Sequence, residues 1–366
     1  MKIYVGLDVH SKQTSYCVQT ARGRVIRRGS VETSQASLLG LLEKIQAPPR
    51  TKIALETGAQ AKWLARLLSA ADMQPVVIDA GEVRDKTLKR GQKTDARDAF
   101  EICDGLRRNQ FTKIVWIPPV EIDKLREVLA RRRHFIKIRT AEVNASKFLV
   151  RSLGLKLERR TLTTEAAWQA LIAREDFKSI AGFMTMHFDM WKQAQRMVSE
   201  LDKLLDALLK PFKKPVEQMS SVFGVSQVTA ATMIACLGDP HRFSTSNQVV
   251  AYLGCAPKTY DTGDKKRRGG ITKEGPSYAR AILCESAQQA RRLKHPLHPY
   301  WARMAAKKSK NSATTAIATR LARILWRIWR DDAAFDLGKL NVVYKPSTTT
   351  KRSYYQLKDQ PVVRGA

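Results

Sequence analysis

Over its first hundred residues the chain alternates two kinds of hydrophobic spacing. "KIYVGLDV" (Lys2 to Val9) is rich in β-branched and aromatic residues, and "TSYCVQT" and "RVIRRGSVET" follow after turn residues. This pattern predicts three strands joined by hairpins. "SLLGLLEKI" (Ser37 to Ile45) spaces its leucines as a helix does. Next come "TKIALE", a short apolar strand ending on Glu56, a helix over "AKWLARLLSAA" and a strand over "QPVVIDA". A further helix is predicted from about Asp95 to Arg108, and "KIVWIPP" closes the region. Strands in succession, then strand–helix alternation, predict a mixed α/β sheet.

From Glu121 to Lys210 glycine becomes rare, and apolar residues recur at helical intervals. Ile122, Leu125 and Leu129 form one stripe; Val198, Leu201, Leu205 and Leu208 form another. The stripes predict a long antiparallel helical pair or a coiled coil. Packing within one chain would satisfy them, but a self-associating helical arm is the favoured reading. "KPFKKPVEQ" (Lys210 to Gln218), with two prolines, reads as a boundary. The following "SVFGVSQVTAATMIACLGDPHRF" suggests a helix–hairpin–helix, whose backbone N–H groups would meet a DNA phosphate. An ordinary helical hairpin explains the stretch equally well. Ala313 to Arg330 is an amphipathic helix carrying Leu321, Leu325, Trp326 and Trp329. The tail, "STTTKRSYYQLKDQPVVRGA", is polar and basic and is expected to be flexible. The chain shows no internal repeat. Four parts are expected: 1–118, 119–214, 215–335 and 336–366.

Charge narrows the partners. Among 366 residues, 65 Lys and Arg stand against 34 Asp and Glu, a formal charge of +31. Such a surface suits a phosphate backbone. An anionic membrane is the rival, but no apolar run is long enough to span a bilayer, and the start lacks a signal-peptide pattern. At 43% hydrophobic the chain can bury a real core. The five cysteines, Cys17, Cys103, Cys236, Cys255 and Cys284, show no zinc spacing. They read as reduced, mostly buried thiols of a cytoplasmic protein.

Against this basic background, "GQKTDARDAFEIC" places Asp95 and Asp98 three residues apart, on one face of a helix. Asp8 ends or nearly ends the first strand, and Glu56 ends a later one. If those strands are neighbours, Asp8 and Glu56 lie side by side, and a helix across the sheet can bring in Asp95 and Asp98. Converging carboxylates without counter-charge are costly. They suit Mg²⁺, a hard cation that takes oxygen ligands, and two such ions can clamp a phosphodiester. Alternatively, Asp95 is only a helix cap and Asp98 a surface acid. Asp8 is the stronger sign, because strand interiors seldom carry Asp. Glu101 is a substitute ligand one turn beyond Asp98.

"APKTYDTGDKKRRGGITKEGPSYAR" (Ala256 to Arg280) reads as a glycine-punctuated basic loop. Lys265, Lys266, Arg267 and Arg268 are its densest cations, with Lys273 beyond them, and all five are candidate nucleic-acid contacts. Thr262 precedes Gly263, which would expose its hydroxyl. Among cations a hydroxyl can attack phosphorus if its proton is taken. On these residues alone, a turn in which Thr262 only bonds its own backbone is the better reading.

Taken in order, "YVGLDVHSK", "ALETG", "KTDARDA", "GVSQVTAATMIACLGDPHRFSTSNQVVAYLG" and "YDTGDKKRRGGITKEG" resemble the DEDD transposases of bacterial insertion sequences, the bridge-RNA-guided recombinases. The likeness covers nearly the whole chain and is weakest in the helical middle and the tail. It implies an N-terminal RuvC-like (RNase H-type) domain whose Asp8, Glu56, Asp95 and Asp98 bind Mg²⁺, with Mn²⁺ a substitute. It also implies a coiled-coil linker and a mostly helical C-terminal transposase domain with a nucleophilic serine in the pattern Tyr-x-Ser-Gly. Here that pattern reads Tyr260, Asp261, Thr262, Gly263, so threonine stands at the nucleophile position. Thr262 keeps the hydroxyl with an added methyl; Ser277 is a substitute, and an impaired enzyme is the third reading. Thr262 as nucleophile is favoured.

The resemblance further implies donor and target DNA, a guide RNA encoded by the element, and homodimers that pair into tetramers. The acids and the hydroxyl would come from different protomers, in the bacterial cytoplasm at the nucleoid. The expected activity is Mg²⁺-dependent strand cleavage and exchange through a covalent protein–DNA link. Two alternatives stay open: a metal-dependent structure-selective nuclease that uses water, and a nucleic-acid-binding protein with a dead site.

Overall fold

Strand periodicity decides which side chains meet at the centre of the N-terminal part. The computed structural model describes residues 2–87, 94–158, 161–262, 265–345 and 354–357, with backbone alone at 87, 260–262, 265–268 and 354. The chain divides into two units, Met1–Pro118 and Pro119–Ala366. In the first unit β1 (Ile3–Val9), β2 (Gln13–Thr20), β3 (Val25–Glu32), β4 (Lys52–Glu56) and β5 (Gln74–Ile78) form one sheet in the order β3-β2-β1-β4-β5. β1, β2 and β3 run antiparallel in succession; β4 is parallel to both β1 and β5. The mixed sheet predicted from the sequence is present.

Successive side chains of a strand point to opposite faces. Val5 and Leu7 of β1 and Ile53 and Leu55 of β4 join Leu38 and Leu41 of α1 (Gln35–Lys44) and Leu64 and Leu68 of α2 (Ala61–Ala70) in one buried core. Each such side chain contributes about 1.5–3 kcal/mol on burial. The residues between them, Gly6, Asp8, Ala54 and Glu56, belong to the other face. There α4 (Asp95–Arg107) lies against β1, β2 and β4 with Ala99, Ile102 and Cys103 buried. Gly6 allows this approach: a Cβ built on it would lie 2.4 Å from both the Ala99 carbonyl oxygen and the Cys103 backbone nitrogen. "KIVWIPP" makes one isolated bridge, Ile114 with Ile78, and Val115 N–H donates to the Val77 carbonyl at 2.8 Å. It ends at Pro118 and Pro119, which have no N–H to continue a ladder.

α3 (Ala80–Thr87) carries a buried anion that ties this segment down. Glu82 accepts from the backbone N–H groups of Thr112 and Lys113, from the Thr112 hydroxyl at 2.8 Å and from Lys86 Nζ at 2.7 Å. Burial alone would raise its pKa, but these donors outweigh it and hold it at about 2. A depressed carboxylate stabilises the fold above its unfolded pKa, and the gain disappears as pH falls through the folded value. Glu82→Gln should therefore cost on the order of 3 kcal/mol at neutral pH. The difference between parent and variant should shrink from about pH 4.5 down to about pH 2, as read by denaturant melts across that window.

The second unit begins with two long helices, α5 (Val120–Ser152) and α7 (Ala181–Leu209), with α6 (Glu165–Ile172) between them in sequence. Their ties run in opposite senses: Arg132 to Asp202 at 2.5 Å, Arg139 to Gln195 at 2.6 Å, Glu142 to His187 at 2.6 Å. The pair is therefore antiparallel. Ile122, Leu125, Leu129, Val198 and Leu205 are buried as the stripes predict, but at the far end Leu209 is buried and Leu208 only half-buried. Trp168, Phe188 and Trp191 fill one end of the pair. The predicted stripes are thus satisfied within one chain, while Phe148, Phe183, Met186 and Met190 remain exposed.

"KPFKKPVEQ" is helical, a 3-10 turn leading into α8 (Lys213–Ser220), because Pro211 and Pro215 fall in first turns where no N–H is missed. α9 (Gln227–Leu237) follows, and Arg126 donates to its last carbonyls, Ala235 at 2.6 Å and Cys236 at 3.0 Å. After α10 (Ser246–Tyr252) the stretch read as a loop forms instead a two-stranded ribbon, β6 (Pro257–Thr262) with β7 (Lys265–Ile271). α11 (Ser277–Gln288), α12 (His298–Lys307) and α13 (Lys310–Arg330) complete the helical part. α13 buries Leu321, Leu325 and Trp326 as its amphipathic pattern requires; Trp329 is half-buried. The tail expected to be flexible carries a second ribbon, β8 (Val342–Lys345) with β9 (Tyr354–Leu357), and buries Val342 and Leu357. Its β-branched and aromatic residues, Val342, Val343, Tyr344, Tyr354 and Tyr355, favour a strand over a flexible end. No helix among the described residues is long and apolar enough to cross a membrane.

Candidate active site

β1 and β4 are parallel neighbours with Leu7 opposite Leu55, so Asp8 and Glu56 occupy the next step of the register. α4 crosses the same face and begins at Asp95, with Asp98 also in its first turn. Asp8 is buried, with 8% of its surface exposed. Burial pushes its carboxyl pKa above the usual range; His10 pulls it down, and Asp98 and Asp95 push it up again. The two α4 carboxylates are therefore close enough to Asp8 to repel it.

His10 is a member of this group that the sequence reading missed. Its Nε2 lies 3.2 Å from Asp8 Oδ2 and 3.6 Å from Asp95 Oδ1. The turn that carries it is fixed: its N–H donates to the Gln13 carbonyl, and its own carbonyl accepts from the Thr33 hydroxyl at 2.8 Å. The signal for His10 was weak, since it lies two residues past Asp8 but beyond the end of β1 at Val9. Asp8, His10 and Asp95 can each offer a ligand atom within 4.8 Å of the others, which is a geometry able to hold a metal ion. Among the described residues, no lysine or arginine comes within ion-pair reach of Asp8, Asp95 or Asp98. Glu101 is engaged elsewhere, 3.9 Å from Arg97.

The second group of candidates lies on the C-terminal unit. Thr262 closes β6 with its backbone opposite Lys265; Tyr260 pairs with Arg267 and Asp261 with Lys266. The side chains of Thr262, Lys265, Lys266, Arg267 and Arg268, and Gly263 as a whole, lie outside the described residues. Past β7, Lys273 is exposed and has φ of +62°, and its N–H donates to the Gly254 carbonyl at 3.0 Å. This bend is held by close backbone contact. A Cβ on Gly254 would lie 1.9 Å from the Glu274 carbonyl oxygen, and one on Gly275 2.2 Å from that of Tyr252. Ser277 is the exposed first residue of α11.

A mixed five-stranded sheet with acids at adjacent strand ends and on a crossing helix is compatible with an RNase H-like domain of a metal-dependent enzyme. Comparison with known proteins is more specific. A DEDD transposase profile of the IS110 type, described as "Transposase", matches residues 5–153, and that of the transposase IS116/IS110/IS902 family matches residues 216–302. A probable family 20 transposase of Pseudomonas aeruginosa is 26% identical over 301 residues, covering 80% of this chain and 88% of its own. The transposase of insertion sequence element IS1328 from Yersinia enterocolitica is 22% identical, covering 90% and 98%. That of IS1111A from Coxiella burnetii is 24% identical, covering 56% of each chain. The chain belongs to the DEDD insertion-sequence transposase family and is a transposase enzyme.

Proposed function

We propose that this transposase is an RNA-guided DNA recombinase that cuts and rejoins strands through a threonine-linked intermediate. The observation that carries the catalytic part is the convergence of acids at one end of the sheet. In a chain with 65 lysines and arginines, Asp8, His10 and Asp95 each offer a ligand atom within 4.8 Å of the others, and Asp98 lies near enough to push the Asp8 pKa up. Carboxylates gathered this closely repel one another unless a cation or a proton lies between them. Asp8, Glu56, Asp95 and Asp98 would hold Mg²⁺, or Mn²⁺, through oxygen ligands, and His10 would orient Asp8 and Asp95. The bound ion supplies Lewis-acid polarisation of the scissile phosphate.

Thr262 is the nucleophile in this reading. Its Oγ forms a bond to phosphorus, the bond from phosphorus to the 3′ oxygen breaks, the threonine proton is lost and the leaving oxygen takes one up. Strand exchange reverses the step with a new 3′ hydroxyl, so the phosphodiester energy is kept in the link. Lys265, Lys266, Arg267, Arg268 and Lys273 would grip the neighbouring phosphates. RNA guidance rests on the family resemblance and on a large charge surplus without a zinc-finger spacing. The division into 1–118 catalytic, 119–214 linker, 215–335 transposase and 336–366 tail, with a helix–hairpin–helix at α8–α9, belongs to the same reading. So do dimers pairing into tetramers, supported by the exposed Phe183, Met186 and Met190 at i, i+3 and i+7 of α7, and a place at the bacterial nucleoid.

The test is covalent trapping. The protein is mixed with the RNA flanking its gene, donor and target DNA and Mg²⁺, and any DNA-linked peptide is mapped by mass spectrometry. An adduct on the Tyr260–Lys265 peptide, lost in Thr262→Ala, is expected. Cleaved DNA with no adduct, still produced by Thr262→Ala, overturns the threonine step and leaves water as the attacking group. Sedimentation of the same preparation reads the assembly state; a monomer throughout overturns the dimer.

A further inference from the structure

α13 presents an arginine stripe that the acid cluster and the β6–β7 ribbon leave unexplained. Arg320, Arg323, Arg327 and Arg330 follow each other at intervals of three and four residues, so they share one helix face. They line a groove of about 770 Å³ together with Arg303 of α12 and Lys339 beyond α13. Against these six cations the groove has two acids, Asp331 and Asp336, a surplus of four positive charges. Like charges at this spacing repel, so the stripe opposes folding of its own helix. The helix dipole accounts for Arg327 and Arg330, which lie in the last turn, and Arg330 pairs with Asp331 at 2.6 Å. It does not account for Arg303, Arg320 or Arg323.

Those three are oriented without being neutralised. Arg320 stacks over the Tyr300 ring, 3.7 Å from its centroid, and Arg303 lies 5.8 Å from the same centroid. Tyr300 is buried and so is a fixed support. Arg323 donates to the Asn247 side-chain oxygen at 3.0 Å. Among the described residues, no carboxylate pairs with Arg303, Arg320, Arg323 or Arg327. The contacts come from rings and an amide, which hold the guanidinium groups in place and leave their charge for an outside partner. From Arg320 to Arg330 the stripe is roughly 15 Å long, the axial rise of about four nucleotides of one strand. A small anion would fill only part of it; a polymer with regularly spaced negative charges matches its length.

We infer that this groove is a binding site for the phosphate backbone of DNA, placed on α12 and α13 and separate from the ribbon that carries Thr262. The choice of DNA rests on the reading of the protein as an enzyme acting on DNA. The contacts go to phosphates, so the site adds affinity without choosing sequence.

Binding measured in EDTA separates this inference from the cleavage chemistry, which needs the acid cluster. Fluorescence anisotropy would follow the full chain with a labelled 30-base-pair duplex of mixed sequence, and with single-stranded RNA of the same length, at several salt concentrations. Arg323→Gln/Arg327→Gln should weaken duplex binding at least tenfold. It should also lower the slope of log affinity against log salt by about two, near 0.9 for each phosphate no longer neutralised. Lys178→Gln/Lys203→Gln removes the same charge from sites 82% and 73% exposed on other elements, and should change affinity less than twofold. The single variant Arg327→Gln should show half the slope change and covers the event that the double variant melts early. Unchanged duplex binding, or an equal loss in the lysine control, overturns the inference. Loss of RNA binding with duplex binding intact overturns the assignment to DNA.

Discussion

Asp8→Asn is expected to abolish cation-dependent cleavage and, without divalent cation, to raise the melting temperature of the first unit. Asp8 is buried, and Asp98 and Asp95 lie close enough to push its pKa up while His10 pulls it down. Removing one anion from such a group relieves repulsion and desolvation, on the order of 1 kcal/mol, or a few degrees in a unit of this size. Mg²⁺ should stabilise the parent, because a ligand that binds only the folded state adds stability as its concentration rises. It should do so much less in the variant. Cleavage should fall by about 10²–10³-fold or more, the scale of removing one preorganised electrostatic group. A variant that melts lower than the parent in EDTA, or that keeps the full Mg²⁺ shift, would sink the assignment of Asp8 as a ligand. Calorimetry with and without Mg²⁺, alongside a nicking assay, makes the comparison.

Gly6→Ala should be nearly as damaging from a position that touches no substrate. The new methyl would meet the Ala99 carbonyl oxygen and the Cys103 backbone nitrogen at 2.4 Å, and neither is a flexible side-chain end. α4 must move or the strand must bend, at a cost of about 1–3 kcal/mol for overpacking. Either shift separates Asp95 and Asp98 from Asp8, so the Mg²⁺-dependent rise in melting temperature should weaken as well. Cys103→Ala in the same chain should not rescue it, because the clashes at 2.4 Å are with backbone atoms of Ala99 and Cys103. Thermal melts at fixed Mg²⁺ decide the point. A Gly6→Ala protein with parental stability and a parental Mg²⁺ shift would show that α4 is not held by this close approach.

The acid site was legible because two periodicities converge on it. Asp8 and Glu56 are on the same face only because β1 and β4 are parallel neighbours in matching register, and strand–helix alternation already suggested a mixed sheet. Asp95 and Asp98 follow from helical spacing. His10 was passed over because it lies just past the end of β1, where strand alternation is no longer read. Gly6 carries no spacing signal at all; its importance is a distance to α4 that appears only after folding. The β6–β7 ribbon was hidden by its composition, since basic residues and glycines mask the Gly263-Asp264 pair that signals a two-residue hairpin connection. The stretch "KPFKKPVEQ" is helical where its two prolines suggested a break, because prolines in first turns start helices as readily as they end them.

The α5–α7 pair has a consequence for how the protein can change its length. α5 has 33 residues, a rod of roughly 50 Å. Each added residue advances such a rod by about 1.5 Å and also turns everything beyond it by about 100°. The ties from Arg132, Arg139 and Glu142 therefore fix a phase as well as a distance. One residue inserted into α5 alone would swing Arg132 or Glu142 away from its partner, whereas about seven residues inserted in both helices would restore the facing and add roughly 10 Å. The pair is a ruler graduated in whole turns, and natural variation in its span should come in those steps.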